Sequence, residues 1–251
     1  MDINKIREKL EKLNAKAEPS KKVDNSSKKW RPSVGKQTIR IVPFKFDKDN
    51  PFTELKVHYN IGKRTMISPT NWGEKDPVID LIKELKNAKG SDNWKLARKL
   101  EPKTRVFVPV IVRGEEDKGV RFWEFGKQIY MSFLNLADQE DVGDYTDVLD
   151  GRDIIVTTEG KETTKTDYNK SSIMLSMKTS PLTKDKALLE KWLDEQTEPI
   201  ELFSKMSYND MKTVLQEFVE SLEGDEEEEE VEEVKSKPSV SKIDKLFEDK
   251  D

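Results

Sequence analysis

The period of the apolar positions changes twice along the 251 residues. In residues 2–16, Ile3, Ile6, Leu10 and Leu13 recur at spacings of three and four, which places them on one face of a helix. Lys5, Arg7, Lys9, Lys12 and Lys16 occupy much of the remainder. A lone helix of this length is marginal in water, and the Lys/Ser-rich stretch from Glu18 to Lys29 behind it has almost no apolar residue. Two readings stay open for this arm. Its stripe docks on another surface, or it folds back onto its own core.

From Trp30 to about Val156 the period becomes two, the signature of strands. Ile39 alternates with Ile41, and Leu55, Val57 and Tyr59 alternate with Glu54, Lys56 and His58. Val106, Val108, Val110 and Val112 face one way, and Phe107, Pro109, Ile111 and Arg113 the other. Val120, Phe122 and Phe125-Gly126 follow a turn at Gly114–Gly119, and Ile154 and Val156 continue after Asp150-Gly151. Helices are predicted over 77–88, where Asp76-Pro77 supplies a start with Pro at the first helical position, and over 92–100 and 127–138. A strand near 171–178 and helices near 184–196 and 207–222 close the globular part. The expected class is α+β with a mainly β core, an OB-fold-like barrel carrying helical insertions.

Past Leu222 the chain turns into Glu and Asp, a composition that predicts disorder. Val240, Ile243, Leu246 and Phe247 then return at helical spacing. That end reads either as a partner-docking peptide on an acidic tether or as a nascent helix without a partner. The expected organisation is an arm over 1–20, a core over 21–222 and an acidic tail over 223–251.

Composition removes several chemistries. There is no cysteine and a single histidine, His58, so disulfides, thiolate zinc sites, Cys–His dyads and His-rich metal sites are excluded. Neither Gly-x-x-x-x-Gly-Lys-Ser/Thr nor Gly-x-Gly-x-x-Gly occurs. The carboxylates sit in solvated runs, so a carboxylate-only, Mg-dependent nuclease is a remote reading, and no enzyme is expected. No apolar run approaches a membrane helix, and the charged N-terminus lacks the apolar stretch of a signal peptide. A soluble, cytoplasmic protein without membrane partners is expected.

Charge sharpens the picture. Residues 1–135 carry 30 Lys/Arg against 18 Asp/Glu, and residues 136–251 carry 15 against 32, so +12 and −17 give the overall −5. A basic half tethered to a polyacidic tail suggests a binder of polyanions with a built-in competitor. Aromatics interleave with the basic residues: Trp30, Arg31, Lys36, Arg40, Phe44, Lys56, Tyr59, Lys63, Arg64, Trp72, Trp94, Lys103, Arg105, Phe107, Arg121, Phe122, Trp123, Phe125, Lys127 and Tyr130. Single-stranded nucleic acid needs this pairing, because cations track phosphates while aromatic faces stack on unpaired bases. About half of these aromatics, Phe107, Phe122 and Phe125 among them, are expected to be structural. Trp123 and Tyr130, with polar neighbours, are the better candidates for exposure.

Several strings resemble the single-stranded DNA-binding (helix-destabilising) proteins of T-even-type bacteriophages. Trp30-Arg-Pro-Ser-Val-Gly-Lys-Gln-Thr-Ile-Arg-Ile-Val-Pro-Phe44 is similar to their first core strand, and Pro51-Phe52-x-x-Leu55-x-x-His58 to the next segment. Lys103-Thr-Arg105-Val-Phe107 resembles their basic-aromatic strand, and Phe122-x-x-Phe125-Gly-Lys127-x-Ile129 their Phe-x-x-Phe-Gly-Lys-x-Ile stretch. Lys12-Leu-Asn14 and the acidic tail complete the layout. Well-studied members hold a structural zinc through one His and three Cys. Here His58 remains, but Ser68, Asp76 and Ile79 stand where the thiolates would fall, so neither zinc nor any cofactor is expected. Val78, Ile79, Ile82 and Leu85 are expected to pack where the metal was, leaving His58 an ordinary strand residue.

The resemblance implies a basic OB-fold cleft that coats single-stranded DNA without sequence preference during replication, recombination and repair in the cytoplasm of a bacterial host. It implies DNA-binding roles for Arg40, Lys103, Arg105, Phe107 and Lys127, to which composition adds Lys63, Arg64, Trp123 and Tyr130. Ile3, Ile6, Leu10 and Leu13 would contact a neighbouring protomer and make binding cooperative. Ile243, Leu246 and Phe247 would contact replication, recombination and repair proteins. The alternatives are an RNA-binding translational regulator and an acidic-tailed interaction protein.

Overall fold

A computed structural model describes residues 25–224 except Lys63 and Lys89. The arm residues Ile3, Ile6, Leu10 and Leu13, the tail residues Ile243, Leu246 and Phe247, and Lys63 lie outside the described residues.

Among the described residues, eight strands form one mixed sheet: β1 (Lys29–Trp30), β2 (Gly35–Ile41), β3 (Thr53–Ile61), β4 (Arg64–Ile67), β5 (Lys103–Val112), β6 (Arg121–Phe125), β7 (Arg152–Glu159) and β8 (Lys170–Thr179). The order is β1-β6-β5-β2-β7-β8, and β3 pairs with β5 and β4 beside this path. Among the described residues, six α-helices join them: α1 (Pro77–Asn87), α2 (Ser91–Leu100), α3 (Lys127–Ala137), α4 (Lys161–Thr164), α5 (Lys186–Asp194) and α6 (Tyr208–Gly224). The expected helices, and the strand near 171–178, appear within two residues of their predicted ends, and β1, β4 and α4 are additional to those expected. Asp76 caps α1, its side chain accepting from the amides of Val78 and Ile79, and Pro77 opens the first turn.

The central strand is β5. One edge pairs with β6 through Val106 to Val110, while the other pairs first with β3 and then with β2. Pro109 sits between those two pairings, its carbonyl accepting from Val42, so its missing N–H falls where no ladder bond is made. Both faces of β5 are covered, which is why it reads as a continuous apolar run. Val106, Val108 and Val110 face a core with Ile39, Ile41, Trp123, Phe125, Phe133, Ile154 and Val156. Phe107 faces a second core with Phe44, Leu55, Val57, Phe122 and Leu202. A third core packs α1, α2 and α6 against Ile61 and Met66.

Much of the basic-aromatic interleave belongs to this scaffold. Trp30 meets Trp123 edge-on at 5.4 Å, and Trp123 meets Phe125 at 4.8 Å, geometries that add specificity to burial. Arg40 is fully buried. Its Nη2 donates to the carbonyls of Asp147 at 2.8 Å and Ser180 at 2.7 Å, and its Nη1 faces Asp153, which also takes a bidentate bond from Arg113. Gly151 leaves the space this guanidinium occupies: a Cβ there would come within 2.5 Å of Arg40 Nη2 and 2.8 Å of the Tyr145 carbonyl.

Candidate nucleic-acid interface

The edge strands of the long path are β1 and β8, and they do not pair with each other among the described residues. A cleft of about 440 Å³ opens there. One wall is the end of β6 and the start of α3, with Trp123, Glu124, Gly126 and Gln128, and Arg105 beneath it. The other wall is the β7–β8 connection, with Thr158, Tyr168, Asn169, Lys170 and Ser171. Gly126 caps α3 without a side-chain hydrogen bond, so the first amide groups of that helix carry no side-chain partner at the cleft wall.

Tyr168 is 64% exposed. Its loop is built locally: Lys165 takes a left-handed φ of 52° after α4, Thr166 Oγ1 donates to the Tyr168 carbonyl at 2.8 Å, and Thr158 and Ser171 hydroxyls meet at 2.8 Å below. A large aromatic held open in a polar turn contributes little to any core. It offers a face.

Arg105 is the cation set deepest in the cleft. Its Nε donates to Glu124 Oε1 at 2.9 Å, and Tyr59 OH donates to the same oxygen at 2.9 Å. Burial, reinforced by the Glu124 charge, pushes the Tyr59 hydroxyl well above the usual phenol range, so it stays a donor. Burial also lowers the nearby Lys29 ammonium, with Glu124 opposing and Arg31 assisting. Lys103 and Lys127 are exposed near this end of β5 and α3.

The structure separates the residues proposed from sequence. Arg105 lines the cleft, and Lys103 and Lys127 are exposed beside its strand and helix. Arg64 is exposed on β4 and does not line the cleft. Tyr130 is half-buried against Phe52 at 5.4 Å. Three residues are corrected. Arg40 is a buried structural cation, and Phe107 is a fully buried core residue. Trp123 touches the cleft but is only 2% exposed, because Trp30, Phe125 and Phe133 enclose it. Its polar neighbours misled: Arg121 is turned to Glu115 at 2.6 Å and Glu124 to Arg105, so neither marks a solvent face. Sequence reasoning missed Tyr168, Lys170, Glu124 and Gly126. An aromatic in the polar turn Thr166-Asp-Tyr168-Asn-Lys170 was the available signal for the first two.

His58 is also corrected. It is fully buried rather than an ordinary strand residue. Nε2 lies 2.8 Å from Asp76 Oδ2, Nδ1 lies 3.3 Å from the Leu100 carbonyl, and Ser68 Oγ donates to Asp76 Oδ2 at 2.5 Å. Burial alone would raise the Asp76 carboxyl, but the bonds from His58, Ser68 and the Ile79 amide hold it below the usual carboxylate range. These residues do not fit a zinc site. Nε2 is taken up by the Asp76 carboxylate and Nδ1 faces the Leu100 carbonyl, no thiolate is present, and no group of three or more His, Cys, Asp or Glu able to hold a metal occurs among the described residues. Val78, Ile82 and Leu85 pack alongside in the helical core, whereas Ile79 is half-buried.

Positive charge beside an open aromatic face is the pairing that holds a nucleic-acid strand. The cleft has the chemistry expected of a nucleic-acid-binding protein. The family described as gp32 DNA binding protein like matches residues 33–221, and the chain belongs to that family. The match runs from before β2 almost to the end of α6 and includes both cleft walls. It establishes the kinship with the single-stranded DNA-binding proteins of T-even-type phages that the sequence strings suggested. No curated protein matches the chain.

Proposed function

We propose that this chain binds single-stranded DNA in the cleft between the β6–α3 junction and the β7–β8 connection. One observation carries the reading: Arg105, Lys170 and the open ring of Tyr168 line a single cleft within the family-matched span. Cations there neutralise the backbone, the Tyr168 face accepts an unpaired base, and neither contact reads sequence. The barrel core is of OB type in this reading, with the cleft at its unpaired seam.

The chain coats and protects single strands in replication, recombination and repair within a bacterial host. Residues 1–20 dock on a neighbouring protomer and make binding cooperative, and 223–251 shield the cleft and recruit partner proteins. No zinc is bound, because the His58–Asp76–Ser68 node joins β3, the segment after β4 and the start of α1 in its place. The test is anisotropy of labelled oligo-dT, oligo-rU and a duplex against the full chain across salt concentrations. Preferred binding of oligo-dT, with log affinity falling linearly in log salt, supports the reading. Tyr168→Ala is expected to weaken it by roughly tenfold, the loss of one stacked base. Preference for oligo-rU would make the chain an RNA binder, and a flat salt response with no binding would end the nucleic-acid reading.

A further inference from the structure

A carboxylate in a phosphate-binding cleft is unexpected, because it repels the ligand. Glu124 lines the cleft, with Arg105 bonded to it and Lys29 within its electrostatic reach. Its side chain is 20% exposed and that of Arg105 30%, so the pair is neither fully solvated nor sealed.

We propose that Glu124 is a positioning residue for single-strand binding, fixing the Arg105 guanidinium so that its outer edge faces the cleft. The inference rests on the single-strand reading above. Glu124 takes Nε and leaves Nη1 and Nη2 without a hydrogen-bond partner among the described residues. Those two groups form the edge that matches two oxygens of a phosphate. Tyr59 fixes Glu124 in turn by donating to the same Oε1. Gly126 completes the arrangement, because a Cβ at that position would lie 3.0 Å from Arg105 Nη1 and crowd the open edge. Carboxylate, phenol and missing side chain all act on one arginine head.

The competing effects differ in size. Repulsion between Glu124 and a phosphate about 8 Å away, through screened and partly aqueous surroundings, weakens binding about two- to fivefold. An arginine that must be ordered from full rotamer freedom at each binding event loses on the order of tenfold or more. Orientation therefore outweighs repulsion, and removing the negative charge weakens binding of a negative ligand. Simple charge counting gives the opposite sign.

The experiment measures oligo-dT affinity of the full chain at several salt concentrations for the unmodified protein, Glu124→Gln, Arg105→Ala and the double variant. Glu124→Gln is expected to weaken binding about fivefold although it adds one unit of positive charge. In the Arg105→Ala background, the same change is expected to tighten binding about twofold, since repulsion alone remains. Tyr59→Phe, which removes one hydrogen bond and no charge, is expected to weaken binding about twofold and stands in should Glu124→Gln not fold. Tighter binding by Glu124→Gln in the unmodified background, equal effects in both backgrounds, or an unchanged Tyr59→Phe overturns the proposal. Absence of oligo-dT binding by the unmodified chain overturns the single-strand reading itself, and this inference with it.

Discussion

Replacing Asp76 by alanine is expected to remove about 4 kcal/mol of stability, and the structure allows that figure to be assembled. Asp76 Oδ1 accepts from the Val78 amide at 2.9 Å and the Ile79 amide at 3.3 Å, and losing such a helix cap costs about 1 kcal/mol. Oδ2 accepts from His58 at 2.8 Å and Ser68 at 2.5 Å, and both residues are fully buried. Leaving two buried donors unpaired costs about 1–3 kcal/mol each. In a cooperative unit of this size, 1 kcal/mol moves the thermal midpoint by roughly 2–4 °C, so the midpoint should fall by about 12 °C. Urea denaturation should show the same loss as a shifted midpoint with an unchanged slope. Ser68→Ala, which leaves the cap and the histidine bond in place, should cost about 1 kcal/mol. An Asp76→Ala loss below about 1 kcal/mol would refute the idea that this node ties β3 to α1. The carboxylate also sets a pH dependence. Its folded pKa is depressed, so its contribution is complete above the unfolded carboxylate value of about 3.9 and is lost as pH falls through the folded value. Asp76→Asn should remove that part of the acid limb.

Gly151→Ala should destabilise the chain by about 3 kcal/mol, because the methyl group would overlap Arg40 and the Tyr145 carbonyl in a packed region; near-native urea stability would contradict this. Metal analysis of the purified chain should find no stoichiometric zinc, and a strong chelator should leave the thermal midpoint unchanged; a midpoint drop of several degrees would contradict the proposed metal-free node. Removing residues 1–17 should abolish cooperativity on long oligo-dT while sparing affinity for a short one, and parallel loss of both would refute a separate role for the arm. Removing 223–251 should tighten binding most at low salt, and an unchanged affinity there would count against self-competition.

The scaffold was legible in the sequence wherever one local rule decided the outcome. Asp76-Pro77 started α1, and alternation set both faces of β5. The site was less legible because its physics is not local. In β6 both faces are covered, so Arg121 and Glu124, which read as solvent markers for Trp123, are instead turned to Glu115 and Arg105. The charge split misled in a related way. It divides the chain by sequence, yet the pairing of β7 with β8 carries Tyr168 and Lys170 from the acidic half to the cleft wall opposite Arg105. Arg40 showed only a cation on an apolar strand; the acceptors that bury it, at 147, 153 and 180, are more than 100 residues away.

Ultraviolet crosslinking of a short oligo-dT to the full chain, mapped by mass spectrometry, asks directly where the strand lies. Tyr168 should be the principal crosslinked aromatic, and excess unlabelled oligo-dT should suppress the adduct. Adducts confined to Trp94, an exposed aromatic on α2 that does not line the cleft, with Tyr168 unmodified, would place the strand elsewhere and contradict the assignment of this cleft.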